Sequence, residues 1–572
     1  MSAFETKAWL NEYAEWTPPH LDYGDLTLLD SYDNTLAIHG DRVATTFFGR
    51  SQTYAELDAQ VRRAAAGLRA FGVRPGDRVA ILLPNCPQHI IAFYAILKLG
   101  ATVVEHNPLY TAHELTHPFQ DHAARVAICW DKSAPMLEKL RETTPLETIV
   151  SVNMINAMPT VQRAALRLPI PQLQKARTKL SGEAPNTVPW ELLLGHALGG
   201  TGQDIETPEF VTKDTVAVIL YTSGTTGAPK GAQLSHGNIV ANLVHGLAWV
   251  PGLGESKEKF LSALPMFHAY GMTMAVLIGI HCGAELILLP APDIKLIMKI
   301  MRKNTPTWLP GVPTLYEKIA ETAEELGVNI TGVRNSFSGA STLPVSTVEK
   351  WERLTGGRLV EGYGLTECSP ILVGNPMDGN RRPGYIGIPF PDTDIRIANP
   401  DNLDKTQPDG TEGEVLARGP QVFKGYLNQP EATANSFHNG WYRTGDIGVM
   451  EEDGFIRLVA RIKEIIITGG FNVYPSEVEE VLRAHPDVVG CAVVGMPRAD
   501  GSENVCAAVT LSEGATMDPE ALKEYCRTKL TRYKVPRKFY HFEQLPQDQM
   551  GKIRRREVRD QLVERYGISE TS

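Results

Sequence analysis

Tyr221-Thr-Ser-Gly-Thr-Thr-Gly-Ala-Pro-Lys-Gly231 holds four hydroxyl-bearing residues (Thr222, Ser223, Thr225, Thr226), three glycines (Gly224, Gly227, Gly231) and Lys230. The run before it, Val216-Ala-Val-Ile-Leu220, is apolar and β-branched, which predicts a buried strand. After it, Ser235 precedes a helical pattern and is a candidate N-cap. A strand entering a loop of this composition suits phosphate. Glycine lets backbone N–H groups approach an anion, hydroxyls donate, and lysine adds positive charge. No Gly-Lys-Ser/Thr closes the loop, so it is not a Walker A sequence. Taken alone, the stretch reads as a polyphosphate loop or as a flexible surface turn.

At 572 residues the chain is too long for one core, since single cores stop growing near roughly 250–300 residues. A net charge of −10 excludes general nucleic-acid binding as the expectation. The N-terminus lacks a basic region followed by an apolar core, so no secretory signal is expected. The apolar run from Met272 to Leu289 is broken by His281 and Glu285 and reads as buried α/β core, not as a membrane span. Seven scattered cysteines without a CxxC pair indicate neither a disulfide framework nor a zinc site; each is expected to be a small buried hydrophobe. These features together predict a soluble, cytoplasmic protein.

Strand and helix patterns alternate from Thr53 onward. A helix opens at Thr53, strands follow at Arg78–Leu83, Gly100–Val104 and Arg125–Trp130, and a helix spans His89–Leu97. That rhythm predicts an α/β fold with parallel and mixed sheets covered by helices. Residues 1–50 read as irregular, and Ser336–Ser341 and Glu361–Glu367 as small-residue loops. From about 380 the strands shorten between Gly and Asp turns, predicting a β-rich subdomain. The segment 150–205 reads as an insertion. Within it, 161–180 carries Arg163, Arg167, Lys175, Arg177 and Lys179 without one acidic residue. Such a segment can lie on an anionic bilayer or be a solvated helical excursion. The expected division is 1–460, a hinge at 461–463, and a small mobile α+β lid at 464–572.

Several short motifs stand in order along the chain: Tyr221–Gly231, Pro265-Met-Phe-His-Ala-Tyr-Gly271, Ser338-Gly-Ala-Ser341, Glu361-Gly-Tyr-Gly-Leu-Thr-Glu367, Trp441-Tyr-Arg-Thr-Gly-Asp446, Arg461-Ile-Lys463 and Gly551-Lys552. Together they resemble the adenylate-forming superfamily of acyl-CoA synthetases, firefly luciferase and peptide-synthetase adenylation domains, with bacterial long-chain fatty acyl-CoA synthetases the nearest type. The resemblance spans nearly the whole chain. It implies two half-reactions. A carboxylate attacks the α-phosphorus of ATP to give an acyl-adenylate and pyrophosphate, and coenzyme A thiolate then displaces AMP.

The resemblance also implies roles. Thr222, Ser223, Gly224, Thr225, Thr226, Gly227 and Lys230 would hold the β- and γ-phosphates. Tyr363, with Gly339 and Ala340, would form the adenine slot, and Glu361, Gly362 and Gly364 would also bind the nucleotide. Thr366 and Glu367 match the Mg²⁺ position, where hard oxygens suit the ion. Asp446 would accept from the ribose hydroxyls, with Arg461 beside ribose and phosphate. His268 would orient the acyl carboxylate, and Lys552 would act on the carboxylate and α-phosphate. Lys463 falls at the hinge, and Gly469 and Gly470 would border the pantetheine path. Ala460 stands where the family often has Gly. Arg554, Arg555 and Arg556 are expected at the surface. The implied substrates are a fatty acid, ATP and coenzyme A. The reading leaves room for a homodimer and for peripheral contact with the inner membrane surface. An aromatic acid is the alternative substrate, and a non-enzymatic nucleotide-binding membrane protein the alternative class. The joint presence of Lys552, His268 and Glu367 argues against the latter.

Overall fold

The structure is a computed structural model that describes residues 2–196, 205–222, 228–468, 471–498, 503–548 and 551–567. These divide into two compact units. One joins Leu10–Asp394 to Ala417–Tyr442, and the other joins Met1–Trp9, Ile395–Leu416 and Arg443–Ser572.

The larger unit is built on two sheets. In the first, the strand order is Gly425–Tyr426, Lys230–Ser235, Val216–Thr222, Thr102–Glu105, Arg78–Leu82, Val126–Trp130, Thr148–Val152, Val188–Pro189. All pairs from Val216–Thr222 onward are parallel, and Lys230–Ser235 joins antiparallel. The second runs Ile388–Pro389, Ile371–Gly374, Arg358–Gly364, Asn335–Ser338, Trp308–Gly311, Lys259–Ser262, Glu285–Leu288, Val43–Phe47, Arg50–Thr53. Its middle is parallel and its edges antiparallel. Helix Tyr54–Ala70 begins with a reciprocal cap, Thr53 and Glu56 each bonding the other's backbone N–H. Helix Pro87–Lys98 is buried all round, as its near-continuous apolar sequence requires. Met272–Leu289 is core, as expected: a π-helix at Gly271–Leu277, a short helix Ile278–His281, then a strand. Among the described residues no helix is long and apolar enough to cross a membrane.

Two expectations are corrected. The first fifty residues are not irregular: Leu28–His39 is a helix capped by Thr27 and Asp30, and Val43–Phe47 is a strand. Ser336–Ser338 belongs to the strand Asn335–Ser338, and Glu361–Gly364 is likewise not a loop but the end of the strand Arg358–Gly364. Its glycines are demanded by close approach. A Cβ at Gly362 would sit 2.2 Å from the Phe337 ring, and one at Gly364 would sit 2.0 Å from the Pro370 carbonyl oxygen.

The basic segment forms two short helices, Thr160–Ala165 and Pro171–Leu180, neither with a buried residue. Val161 is 81% exposed, and Leu168 and Ile170 also face water. The chain then returns to the sheet, where Val188–Pro189 pairs with Thr148–Val152.

In the smaller unit, Trp441–Met450 pairs antiparallel with Ile456–Arg461. Val488–Pro497 and Glu503–Leu511 form a long antiparallel pair, to which Lys538–His541 adds in parallel. Helices Pro475–Arg483 and Pro519–Arg527 and the strand residues between them share one apolar cluster. Helix Arg555–Tyr566 closes a second cluster through Val558 and Leu562.

All seven cysteines are free and buried. Burial pushes the thiols of Cys86, Cys282 and Cys491 up to about 12 and those of Cys506 and Cys526 to about 11.

Candidate active site

In the larger unit the motif residues gather where parallel strands end. Strands Asn335–Ser338 and Arg358–Gly364 run side by side, with Ser338 opposite Glu361. Gly339 and Ala340 follow the first strand and Thr366 and Glu367 the second. Ligands of open α/β sheets sit outside such carboxyl ends. Ala340 has a left-handed backbone, φ 71°. Gly339 lies against the Tyr270 ring, 3.2 Å from the position of a Cβ. Tyr270 belongs to the His268 motif, so these two motifs meet. Glu361 is buried, and that burial raises its carboxyl to about 8, although the Leu343 N–H donates to it. It is therefore mostly neutral at pH 7 and able to donate a hydrogen bond. Tyr363 is buried and faces Val373 across the antiparallel edge.

His268 is exposed, in the turn that follows strand Lys259–Ser262. Its Nδ1 accepts from the Tyr270 N–H at 3.4 Å. In the neutral ring the proton is then on Nε2.

Thr222 and Lys230 pair across the two strands that flank the phosphate-type loop. Ser223, Gly224, Thr225, Thr226 and Gly227 lie outside the described residues, as do Gly469 and Gly470. The Lys230 ammonium stands 5.2 Å from the centre of the Tyr426 ring. The Tyr426 hydroxyl donates to Glu367 Oε1 at 2.8 Å. Tyr426 thus links the loop lysine to the candidate metal carboxylate, and sequence reasoning passed over it. The one local signal is Gly425 before it, whose φ of 134° only glycine adopts readily.

In the smaller unit Asp446 is 3% exposed and accepts from Arg461 Nε at 3.0 Å, the two facing each other across paired strands. Lys463 is exposed on a single turn, Ile462–Glu464. Lys552 is fixed by Asp548: the Lys552 N–H donates to its carboxylate at 2.9 Å, and the Asp548 N–H donates back to the Lys552 carbonyl at 2.8 Å. Burial chiefly, together with the Arg461 charge, lowers the Lys552 ammonium to about 8, against the pull of Glu464 and Asp446. Asp446, Arg461 and Lys552 therefore share one electrostatic neighbourhood, with Glu464 as a member that the sequence did not single out.

The expectation that all three C-terminal arginines are at the surface is corrected for Arg555. Its guanidinium grips Glu479 with two hydrogen bonds, 2.8 and 2.7 Å, and also bonds Glu464. The Glu479 side chain is 1% exposed. A buried carboxylate demands a paired cation, and Arg555, at the start of its helix, supplies it.

The profile of the AMP-binding enzyme family matches residues 32–427, and that of the AMP-binding enzyme C-terminal domain matches 477–552. The chain belongs to the AMP-binding enzymes. A long-chain-fatty-acid–CoA ligase of Bacillus subtilis (strain 168) is 37% identical over 567 residues, 98% of this chain and 99% of that protein. A feruloyl-CoA synthase from an Amycolatopsis species is 35% identical over 514 residues, 89% and 94% of the two chains. Among solved structures, ATP-bound MatB from Rhodopseudomonas palustris aligns with a TM-score of 0.77 at 29% identity, covering 95% of this chain and 100% of that one. The first matched region of this AMP-binding enzyme includes His268, Tyr363 and Glu367 and the second includes Lys552, while Asp446, Arg461 and Lys463 fall between the two.

Proposed function

We propose that this enzyme is an AMP-forming fatty acid–CoA ligase acting on medium to long chains. ATP and the acid give an acyl-adenylate and pyrophosphate, and coenzyme A then takes the acyl group and releases AMP. The observation that carries the reading is Lys552 lodged beside Asp446 and Arg461, in a chain similar end to end to a long-chain-fatty-acid–CoA ligase.

The first step brings two anions together at phosphorus, so these residues act mainly by positioning and by offsetting charge. Lys230 holds the leaving phosphates. Glu361 donates from its neutral carboxyl within the adenine slot, and Asp446 accepts from the ribose. His268 donates from Nε2 to the acyl carboxylate. Lys552, mostly protonated at pH 7, faces the charge that develops between carboxylate and α-phosphate. Residues 464–572 turn about Lys463 between the two half-reactions.

The donors for Mg²⁺ fit. Glu367 offers a carboxylate and the adjoining Thr366 a hydroxyl. Among the described residues no group of three or more His, Cys, Asp or Glu side chains forms a cage. Mg²⁺ takes few protein oxygens and fills its shell with phosphates and water. When bound, it supplies positive charge to the phosphate oxygens.

Pyrophosphate release across saturated acids of graded length tests the substrate reading. The kcat/KM should climb by roughly fourfold per methylene until the pocket is full, from about 0.8 kcal/mol per buried CH₂. No release with any acid ends the ligase reading. Preference for cinnamic-type acids over fatty acids would favour the second reading, to which the feruloyl-CoA synthase relative points.

Peripheral membrane contact is proposed for 161–180. Arg163, Arg167, Lys175, Arg177 and Lys179 stand there without an ion pair among the described residues, beside exposed Val161, Leu168 and Ile170. Co-sedimentation with anionic liposomes should weaken when the five cations are replaced by glutamine. Unchanged binding removes this proposal.

A further inference from the structure

Sheet pairing through strand Lys259–Ser262 stops just before the turn that carries His268. The Ser262 carbonyl keeps one ladder bond, from the Leu289 N–H at 3.2 Å, but the Leu264 carbonyl and the Met266 N–H need partners from elsewhere. One side chain meets both and adds a second bond to Ser262. Asn85 Nδ2 donates to the Ser262 carbonyl at 3.0 Å and to the Leu264 carbonyl at 2.7 Å, and its Oδ1 accepts from the Met266 N–H at 2.8 Å. The residue is 2% exposed. Both amide protons and one oxygen lone pair are thus spent on this turn, leaving a single lone pair uncommitted.

Asn85 is itself held rigidly. It lies in Pro84-Asn-Cys-Pro87, directly before helix Pro87–Lys98. The His89 ring spans from the Pro84 carbonyl, 3.3 Å from Nδ1, to the Glu105 carboxylate, 3.0 Å from Nε2. The His89 and Glu105 side chains are both fully buried. On the far side of the turn there is no slack either. The His268 N–H bonds the Pro265 carbonyl at 3.2 Å, and a Cβ on Gly271 would lie 2.0 Å from that same oxygen. Hydrogen bonds from strand Thr102–Glu105 to His89 and from His89 to Pro84, joined through the Pro84–Asn85 peptide to the bonds of Asn85, therefore make a path to the backbone two residues before His268.

We infer that Asn85 is a positioning residue for His268: its amide clamps the 262–266 turn and so fixes where the imidazole meets the acyl carboxylate. The inference rests on the role of His268 given above. No side chain of the chemistry touches Asn85; it acts through the turn. Removing the amide leaves the buried Leu264 carbonyl and Met266 N–H without this partner, while the Ser262 carbonyl keeps the Leu289 N–H, and the turn shifts to find others.

The test is a double-mutant cycle on the full-length enzyme, with pyrophosphate release read at saturating ATP and fatty acid. His268→Ala should slow adenylate formation. Asn85→Ala should slow it by about 10- to 100-fold, the scale of a 1 Å misplacement, with KM for ATP unchanged. In the His268→Ala background the Asn85 change should add almost nothing, because the group it positions is gone. If His268→Ala runs at the wild-type rate, the reading of His268 fails and the inference with it. If His268→Ala is slow but Asn85→Ala multiplies that loss, or alone leaves the rate intact, the inference is overturned while His268 keeps its role. Circular dichroism checks folding, and Asn85→Asp carries the same cycle if the alanine variant does not fold. Failure of both to fold, in either background, makes Asn85 a folding residue and overturns the inference.

Discussion

Lys552→Ala is expected to lower acyl-adenylate formation by about 10²–10³-fold, the size of effect seen when one preorganised donor to a developing anion is removed. Thioester formation from supplied acyl-adenylate should be nearly unchanged. Lys463→Pro is expected to do roughly the reverse, since a fixed φ at the proposed hinge would resist a turn between the two steps. Separate assays of the two half-reactions decide it. Equal loss of both steps in both variants would contradict two orientations. The pH dependence carries the same signature. Lys552 must be protonated to act, so adenylation should fall as pH rises through about 8, well below the ordinary lysine value of 10.5. Its effect on stability has the opposite sign. Between about 8 and 10.5 the unfolded chain binds the extra proton, so this group adds stability as pH rises through that window. Holding the lysine charged at neutral pH is thus a cost carried for chemistry.

Arg555→Ala should have the largest effect on stability. It leaves Glu479, 1% exposed, without its bidentate partner, and loss of one member of a buried pair costs about 3–5 kcal/mol. Arg483 still reaches Glu479 at 3.1 Å, from a side chain that is half in water, and offsets part of that loss. Urea unfolding followed by hydrogen exchange of helix Pro475–Arg483 measures the effect. Adding Glu479→Gln should recover much of the loss, because it removes the stranded charge yet keeps an acceptor for the Val493 N–H, now 2.9 Å away. A change below about 1 kcal/mol for Arg555→Ala would mean the pair is as weak as an exposed one. Adenylation should fall as well, since Arg555 ties the helix after Lys552 to Glu464, which also faces Lys552.

The contrast between Arg555 and its neighbours shows where sequence reasoning ends. Three arginines in a row look alike, and only the placement of Glu479 and Glu464 beside Arg555 selects the one that pairs with a buried carboxylate. Local rules worked where the determining partner is local. Thr53 and Glu56 announce their helix three residues apart, and Ser235 caps its own at Asn238. The helix Leu28–His39 escaped notice because its capping box closes with Asp30 in place of the usual Glu or Gln. The strand end at Glu361–Gly364 escaped because the Phe337 ring and the Pro370 carbonyl, which demand its glycines, are remote in sequence. In the site, residues with distinctive chemistry were legible as ordered motifs. Tyr426, Glu464 and Asn85 were not, since each acts by meeting a motif residue tens to hundreds of positions away.

The buried cysteines bear on chemoselectivity. An acyl-adenylate is an electrophile waiting for a sulfur nucleophile, and only the thiolate attacks. Every thiol of this chain is shielded from solvent, and those of Cys86, Cys282 and Cys491 are held protonated far above neutral pH. The activated acid therefore finds no competing sulfur on the enzyme that made it. Coenzyme A arrives as the sole reactive thiol, and the catalyst is spared self-acylation during the interval between its two steps.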